Sequence, residues 1–477
     1  MVALRFVFPV AFVLLAAGCI GPASEQLTAA GDGLPSTTAV VPELPDFDWT
    51  TVVDPDHASH QAPLLHEGGH GLTLTGYTAI QPSLPPGVRG SITQVDAWGT
   101  YAVVSGMEGG LAFAIVDIAD ATSPKVVSYW LANADGWTAR FSDDGNYIFY
   151  GCQVLGGPFG LAMVATGTRP LGDCEDPMDP GPTRQGGVVA IDVTDKAAPE
   201  FVAFVPGVAA HNIHTAYIAG KDYIFTNHVD IIEFDREAGT LEVVSEVPGV
   251  HDATVQKHPI TGDWLLYTGT DDFAIYNVND PANPEPVFEG GVEGADGEML
   301  VGWHEQTPIP GLIEGRYIMA LAGETFSPVF GRSTDMSVRD AVAFVDITDP
   351  ANPIPLGVWH APWKPGAPWA SYLYSVHEMA ATPTGQLAVA WYHGGIWVLD
   401  VSTAERMLEP ATIAAYLPNM PITALPATFV QTPVPVVPFV WGAGWDDRGY
   451  LLVPDMHTGL YLLEPEWGLH PAVAGGQ

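Results

Sequence analysis

Short apolar runs of Val, Ile and aromatic residues recur along this 477-residue chain, most closing on an acidic residue and leaving through a proline turn. Leu111–Ile118 leads to Ser123-Pro124, and Gly187–Val193 leads to Ala198-Pro199. Phe273–Val278 leads to Asp280-Pro281-Ala282-Asn283-Pro284, and Ala341–Ile347 to Asp349-Pro350-Ala351-Asn352-Pro353. Asp230–Asp235, Ile396–Val401 and Gly459–Glu464 are further copies, making seven. Runs this short, bounded by Gly, Pro and Asp, read as strands rather than helices.

The copy at His377–Val401 shows the whole unit. A first run ends at Pro383-Thr384-Gly385, a second covers Leu387–Trp391 and stops at Tyr392-His393-Gly394-Gly395, and a third carries Asp400. A fourth run follows the proline turn in other copies, as in Lys125–Tyr129, Glu200–Phe204 and Ile354–Trp359. One four-stranded antiparallel meander cannot bury both faces alone. Seven in radial array make an all-β fold, a seven-bladed β-propeller. The last copy lacks its fourth strand, and His70–Tyr77 is placed to supply it, so that an N-terminal strand closes the ring.

Histidine is distributed by the same period. Four repeats open on a His with a polar neighbour: His211-Asn212, His251-Asp252, His304-Glu305 and His377-Glu378. The first strand of a blade lines the central channel, and the turn between strands two and three lies on the same face of the disc. That turn carries His228, His393 and His457. Seven imidazoles therefore converge on one channel mouth, and neutral imidazole is the commonest ligand of zinc and copper. A lone His at a strand start would be a hydrogen-bonded structural residue, but a ring of unliganded imidazoles is costly to desolvate. The spacing predicts a site for a metal, a divalent copper or zinc ion, or for an anionic ligand. Glu305 and Glu378 are its candidate catalytic or His-orienting carboxylates. His214, three residues from His211, is expected to point away, and His258 and His360 to lie far off. Trp137, Trp441 and Trp445 open the repeats that lack His and are expected to pack at the entrance.

Other signals carry less. His66-Glu67-Gly68-Gly69-His70 matches a zinc-protease pattern, but that mechanism needs a helix, and two adjacent glycines oppose one by roughly 2 kcal/mol. The recurrent Asp117, Asp192, Asp346 and Asp400 read as turn hydrogen-bonders rather than catalysts. The chain has no nucleophile elbow, P-loop or dinucleotide fingerprint in a supporting context.

The N-terminus reads as an export signal. Arg5 precedes the apolar run Val7–Ala17, too short to span a bilayer, which runs into Leu15-Ala16-Ala17-Gly18-Cys19. Small residues before a Cys resemble a bacterial lipobox, with Cys19 the lipidated residue of an exported, envelope-anchored lipoprotein, at the outer membrane or cell surface rather than the inner membrane. The expected organisation is a signal peptide over 1–19, a flexible linker over 20–65, the propeller over 66–466 and a tail over 467–477. Cys152 and Cys174 remain, an even pair that reads as a disulfide worth about 3 kcal/mol in an oxidising compartment. The formal net charge of −39 excludes nucleic acid as a partner by simple repulsion. The expected partners are the membrane, through the lipid on Cys19, and an unidentified protein or small molecule bound by a monomer.

The Val-Asp-Ile and Asp-Pro-x-Asn-Pro signature, best seen at Asp349–Pro353, resembles that of the LVIVD-repeat family, β-propeller proteins of bacterial and archaeal surfaces. The resemblance covers most of 90–465 and implies a fold and an extracytoplasmic location, with no settled activity. Trp391-Tyr392-His393-Gly394-Gly395 before Val398-Leu399-Asp400-Val401 is similar to one blade of the selenium-binding protein/methanethiol oxidase family, in which His residues are associated with copper. Here Ser402-Thr403-Ala404-Glu405 replaces the Asp-Pro turn of that family. Two functions are compatible with these features: a binding scaffold without chemistry of its own, and a copper- or zinc-dependent oxidase or hydrolase.

Overall fold

The computed structural model describes residues 41–52, 68–107, 110–132, 135–153, 186–208, 210–227, 229–249, 251–269, 273–294, 304–324, 341–362, 375–424 and 438–469. All fall in one unit, Ala39–Gln477. Seven antiparallel sheets follow in chain order: blade 1 over 92–131, blade 2 over 135–206, blade 3 over 213–246, blade 4 over 253–290, blade 5 over 305–360 and blade 6 over 379–416, with blade 7 last. Within blades 1 to 5 each strand pairs with the next in sequence, and blades 6 and 7 each add an N-terminal strand at the outer edge. The first strands touch one another in cyclic order around the ring, blade 7 against blade 1 included.

Blade 7 closes as its sequence requires. Its own strands are Gly444–Trp445, Leu451–Asp455 and Gly459–Pro465, and the strand Leu72–Thr78 pairs antiparallel with the last of these, from Leu72↔Pro465 to Thr78↔Leu460. The two residues before it, Gly69–His70, add to the outer edge of blade 6 at Tyr416 and Ala415. His70 is thus strand, its ring 4.0 Å from that of Phe47, so a zinc-protease helix does not form there. Within the segment read as a linker, residues 41–52 are anchored on blade 6, where Trp49 packs against its core and Arg406 donates to the Pro42 carbonyl.

The recurring Asp has the turn role expected of it. Asp117, Asp192, Asp346 and Asp400 each accept from the backbone N–H two residues on, at 2.8–3.2 Å. This ends the third strand and starts the turn that follows it, a proline turn after Asp117, Asp192 and Asp346 and a short helix after Asp400. The turn in turn joins blades. Ser128 of blade 1 donates to the Lys196 carbonyl in the turn of blade 2, and Ser245 of blade 3 to the Pro281 carbonyl in that of blade 4. Where the approach is tighter the outer strand has glycine. A Cβ on Gly357 would lie 2.2 Å from the Leu408 carbonyl oxygen, and one on Gly76 would lie 1.9 Å from that of Ala121.

Every blade, the composite seventh included, breaks register between its third and fourth strands, once in blades 2 to 7, for example at Ile275/Tyr276 in blade 4 and Leu74/Gly76 in blade 7, and twice in blade 1. Such a bulge increases local twist. It turns the outer strand toward the next blade's turn.

Candidate metal centre at the channel end

The four strand-opening histidines come together. Their side chains and two tryptophans form a closed aromatic ring around the axis: Trp137–His211 4.4 Å, His211–His251 5.0 Å, His251–His304 4.3 Å, His304–His377 4.5 Å, His377–Trp441 4.3 Å and Trp441–Trp137 4.9 Å between centroids. Blades 2 to 7 each contribute one member, immediately before or at the start of the innermost strand. Blade 1 instead offers Thr93, whose hydroxyl donates to the Trp137 carbonyl at 2.9 Å, as Thr138 does to that of His211 at 3.3 Å. Trp445 lies elsewhere, donating to the Ala380 carbonyl.

Carboxylates pack against this ring. Glu324 Oε2 lies 3.2 Å from His304 Nε2, and Glu324 Oε1 lies 3.8 Å from His377 Nε2. Asp252 Oδ1 lies 3.1 Å from His251 Nδ1, and Asp252 Oδ2 lies 3.5 Å from His304 Nδ1. His304 therefore presents each nitrogen to a different carboxylate. Two groups have ligand atoms mutually within 4.8 Å: His251, His304 and Glu324, and Asp252, His304 and Glu305. Glu305, Glu324, Glu378 and Asp252 are all buried. Asn212 is the polar neighbour in blade 3, its amide 3.5 Å from Glu378 Oε1 and its carbonyl oxygen accepting from Thr138.

The electrostatics split these groups. Burial, aided by the neighbouring His251, lowers His211 to about 3, and burial with His304 does the same for His377, so both are neutral imidazoles with nitrogen lone pairs. The Nε2 of His377 has no hydrogen-bond partner among the described residues. Burial alone would raise Glu324, but His304 and His377 outweigh it and hold the carboxyl at about 2. Asp252 is likewise lowered by His304 and His251 against the effect of burial. Glu305 and Glu378 go the other way, raised well above the usual carboxyl range by burial and by adjacent carboxylates.

Glu324 was not singled out from the sequence, although Ala322-Gly323-Glu324 leaves the second strand of blade 5 where Tyr392-His393 leaves that of blade 6. Its partner is Tyr392, whose hydroxyl donates to Glu324 Oε1. Tyr392 has φ 43°, a left-handed backbone costly for a bulky side chain. The structure holds it there with the ring packed on His377 at 5.0 Å and on Trp441 at 5.2 Å.

The second-turn histidines lie differently from the inner four. His393 and His457 are both buried, and both pack on Phe439, at 4.7 and 5.7 Å. Phe439 belongs to an apolar cluster with Met107, Trp137, Tyr392, Trp441 and Met456 beside the ring. His228 lies outside the described residues, as do Cys19 and Cys174, while Cys152 is buried in the core between blades 1 and 2. His258 bonds the Ile347 carbonyl at 3.2 Å, and His360 ends the outer strand of blade 5, so neither belongs to the ring. Regular strand begins only at Ile213, and His214, lowered to about 3 by burial and Arg140, is within electrostatic reach of Asp252.

No protein-family model matches the chain, and no curated protein matches it. Among solved structures it is similar to Saccharomyces cerevisiae Sqt1, at 11% identity and TM-score 0.47 over 83% of this chain and 87% of that one. It is also similar to the RRP9 WD40 repeats, at 9% identity and TM-score 0.46 over 84% and 100% of the two chains. The Myceliophteria_thermophila Cps50 (Swd1) β-propeller domain is a third, at 10% identity and TM-score 0.45 over 79% and 97%. The chemistry of the site stands on its own residues.

Proposed function

We propose that this chain is an exported, lipid-anchored propeller of the LVIVD-repeat kind whose channel end binds a divalent transition metal, zinc or copper. The observation that carries the reading is the mutual approach, within 4.8 Å, of ligand atoms from His251, His304 and Glu324. Two imidazoles and a carboxylate suit either metal and leave a coordination position for water or substrate, unlike the closed four-ligand sets of structural zinc. A metal held there would supply Lewis acidity to a substrate oxygen. Asp252 orients His251, and Tyr392 orients Glu324, the outer contacts that ligating groups ordinarily have. Such a site favours the metalloenzyme over the inert scaffold.

Tyr392→Phe removes the hydroxyl that fixes Glu324 while keeping the ring packing. It is expected to weaken zinc binding by about 10–100-fold, the usual cost of an outer partner. Competition titration against a chromophoric chelator measures this, and an unchanged affinity would contradict the assignment of Glu324.

The anchor rests on Leu15-Ala16-Ala17-Gly18-Cys19. Cys19→Ala is expected to move the protein from the membrane fraction to the soluble one. With Cys152 and Cys174 paired, thiol labelling of the mature chain without reductant should find no free Cys. Retention of Cys19→Ala in the membrane fraction, or a freely labelled Cys152, would overturn the corresponding half of this reading.

A further inference from the structure

We propose that His304 bridges two divalent metal ions as an imidazolate, one held with His251 and Glu324 and the other with Asp252 and Glu305. This rests on the metal reading above and extends it to a dinuclear centre. The two ligand groups share His304 and no other residue. They meet it on opposite sides, since Nε2 faces Glu324 at 3.2 Å and Nδ1 faces Asp252 at 3.5 Å. The simpler role for Asp252 is to orient a singly ligating His304. At 3.5 Å, however, the contact is longer than a good hydrogen bond, although Asp252 is only 2% exposed.

Charge balances in the dinuclear form. Two dications bring four positive charges, and the His304 imidazolate with Glu324, Asp252 and Glu305 brings four negative ones. Any proton that His304 or Glu305 carries is released to solvent as the second ion enters. No electron transfer is involved. Burying a neutral cluster avoids the desolvation cost of an isolated charge.

The test uses the purified full chain, stripped by chelation and reloaded with Cu²⁺. Two ions per chain are expected, with a paramagnetic resonance intensity well below that of two isolated Cu²⁺ ions because the bridge couples them. The Asp252→Asn, Glu305→Gln variant is expected to take one ion and give the full isolated signal. Should that variant not fold, Glu324→Gln provides the converse, leaving one ion on the Asp252 side. One ion in the wild type, or two uncoupled ions, overturns the bridge and leaves the single-metal reading standing. No bound ion overturns both.

Discussion

His304→Ala combined with His377→Ala is expected to take the protein from stoichiometric metal to background, with its melting transition retained. His304 is the one residue common to both ligand groups, and its loss leaves Glu324 and Asp252 without the imidazole between them. His377 Nε2, the remaining imidazole nitrogen near Glu324, is the natural substitute ligand, which is why both must go. The loss in affinity should exceed the roughly 100-fold upper limit for outer partners. The double variant leaves the Trp441 carbonyl without the bond it takes from His377 Nδ1 at 2.9 Å, at a cost of about 1–3 kcal/mol, and the buried Glu324 and Asp252 carboxyls without their imidazole neighbours. Elemental analysis with a parallel thermal melt decides it. Metal retained by a folded double variant would show that the ring is structural.

The second large effect concerns closure of the ring. A chain beginning at Ala79 lacks the strand Leu72–Thr78 and leaves blade 7 with three strands and an open edge. It loses buried Leu72, the packing of Leu74 and Tyr77 on the core between blades 6 and 7, and the 2.6 Å bond from Tyr77 to the Thr458 carbonyl. Burial of one large apolar side chain is worth about 1.5–3 kcal/mol and a hydrogen bond about 1 kcal/mol, so the loss should exceed about 4 kcal/mol. Set against a typical net stability of about 5–15 kcal/mol, that removes most of the margin. A lowered urea midpoint and rapid proteolysis are expected, with partial rescue by a peptide of residues 66–80. An unchanged midpoint would mean that the N-terminal strand decorates the ring without closing it.

The fold was legible because a propeller repeats its instructions. Each apolar run, its closing Asp and its proline turn specify a hairpin locally, and the missing fourth strand of the last repeat pointed to the N-terminus. The bulges were not legible, since Ile275/Tyr276 or Ala343/Val345 differ in no way from their strand neighbours. In the site, His211, His251, His304 and His377 could be placed together from repeat position alone. Glu324 could not be found by searching for histidine, although its position after the second strand was already known to carry chemistry.

X-ray absorption at the zinc edge, on full-length protein loaded with one equivalent, tests the central claim most directly. A first shell of nitrogen and oxygen at about 2.0–2.1 Å, with outer-shell scattering from two imidazoles, is the predicted result. Failure to retain one equivalent, or a sulfur shell at about 2.3 Å, would contradict it.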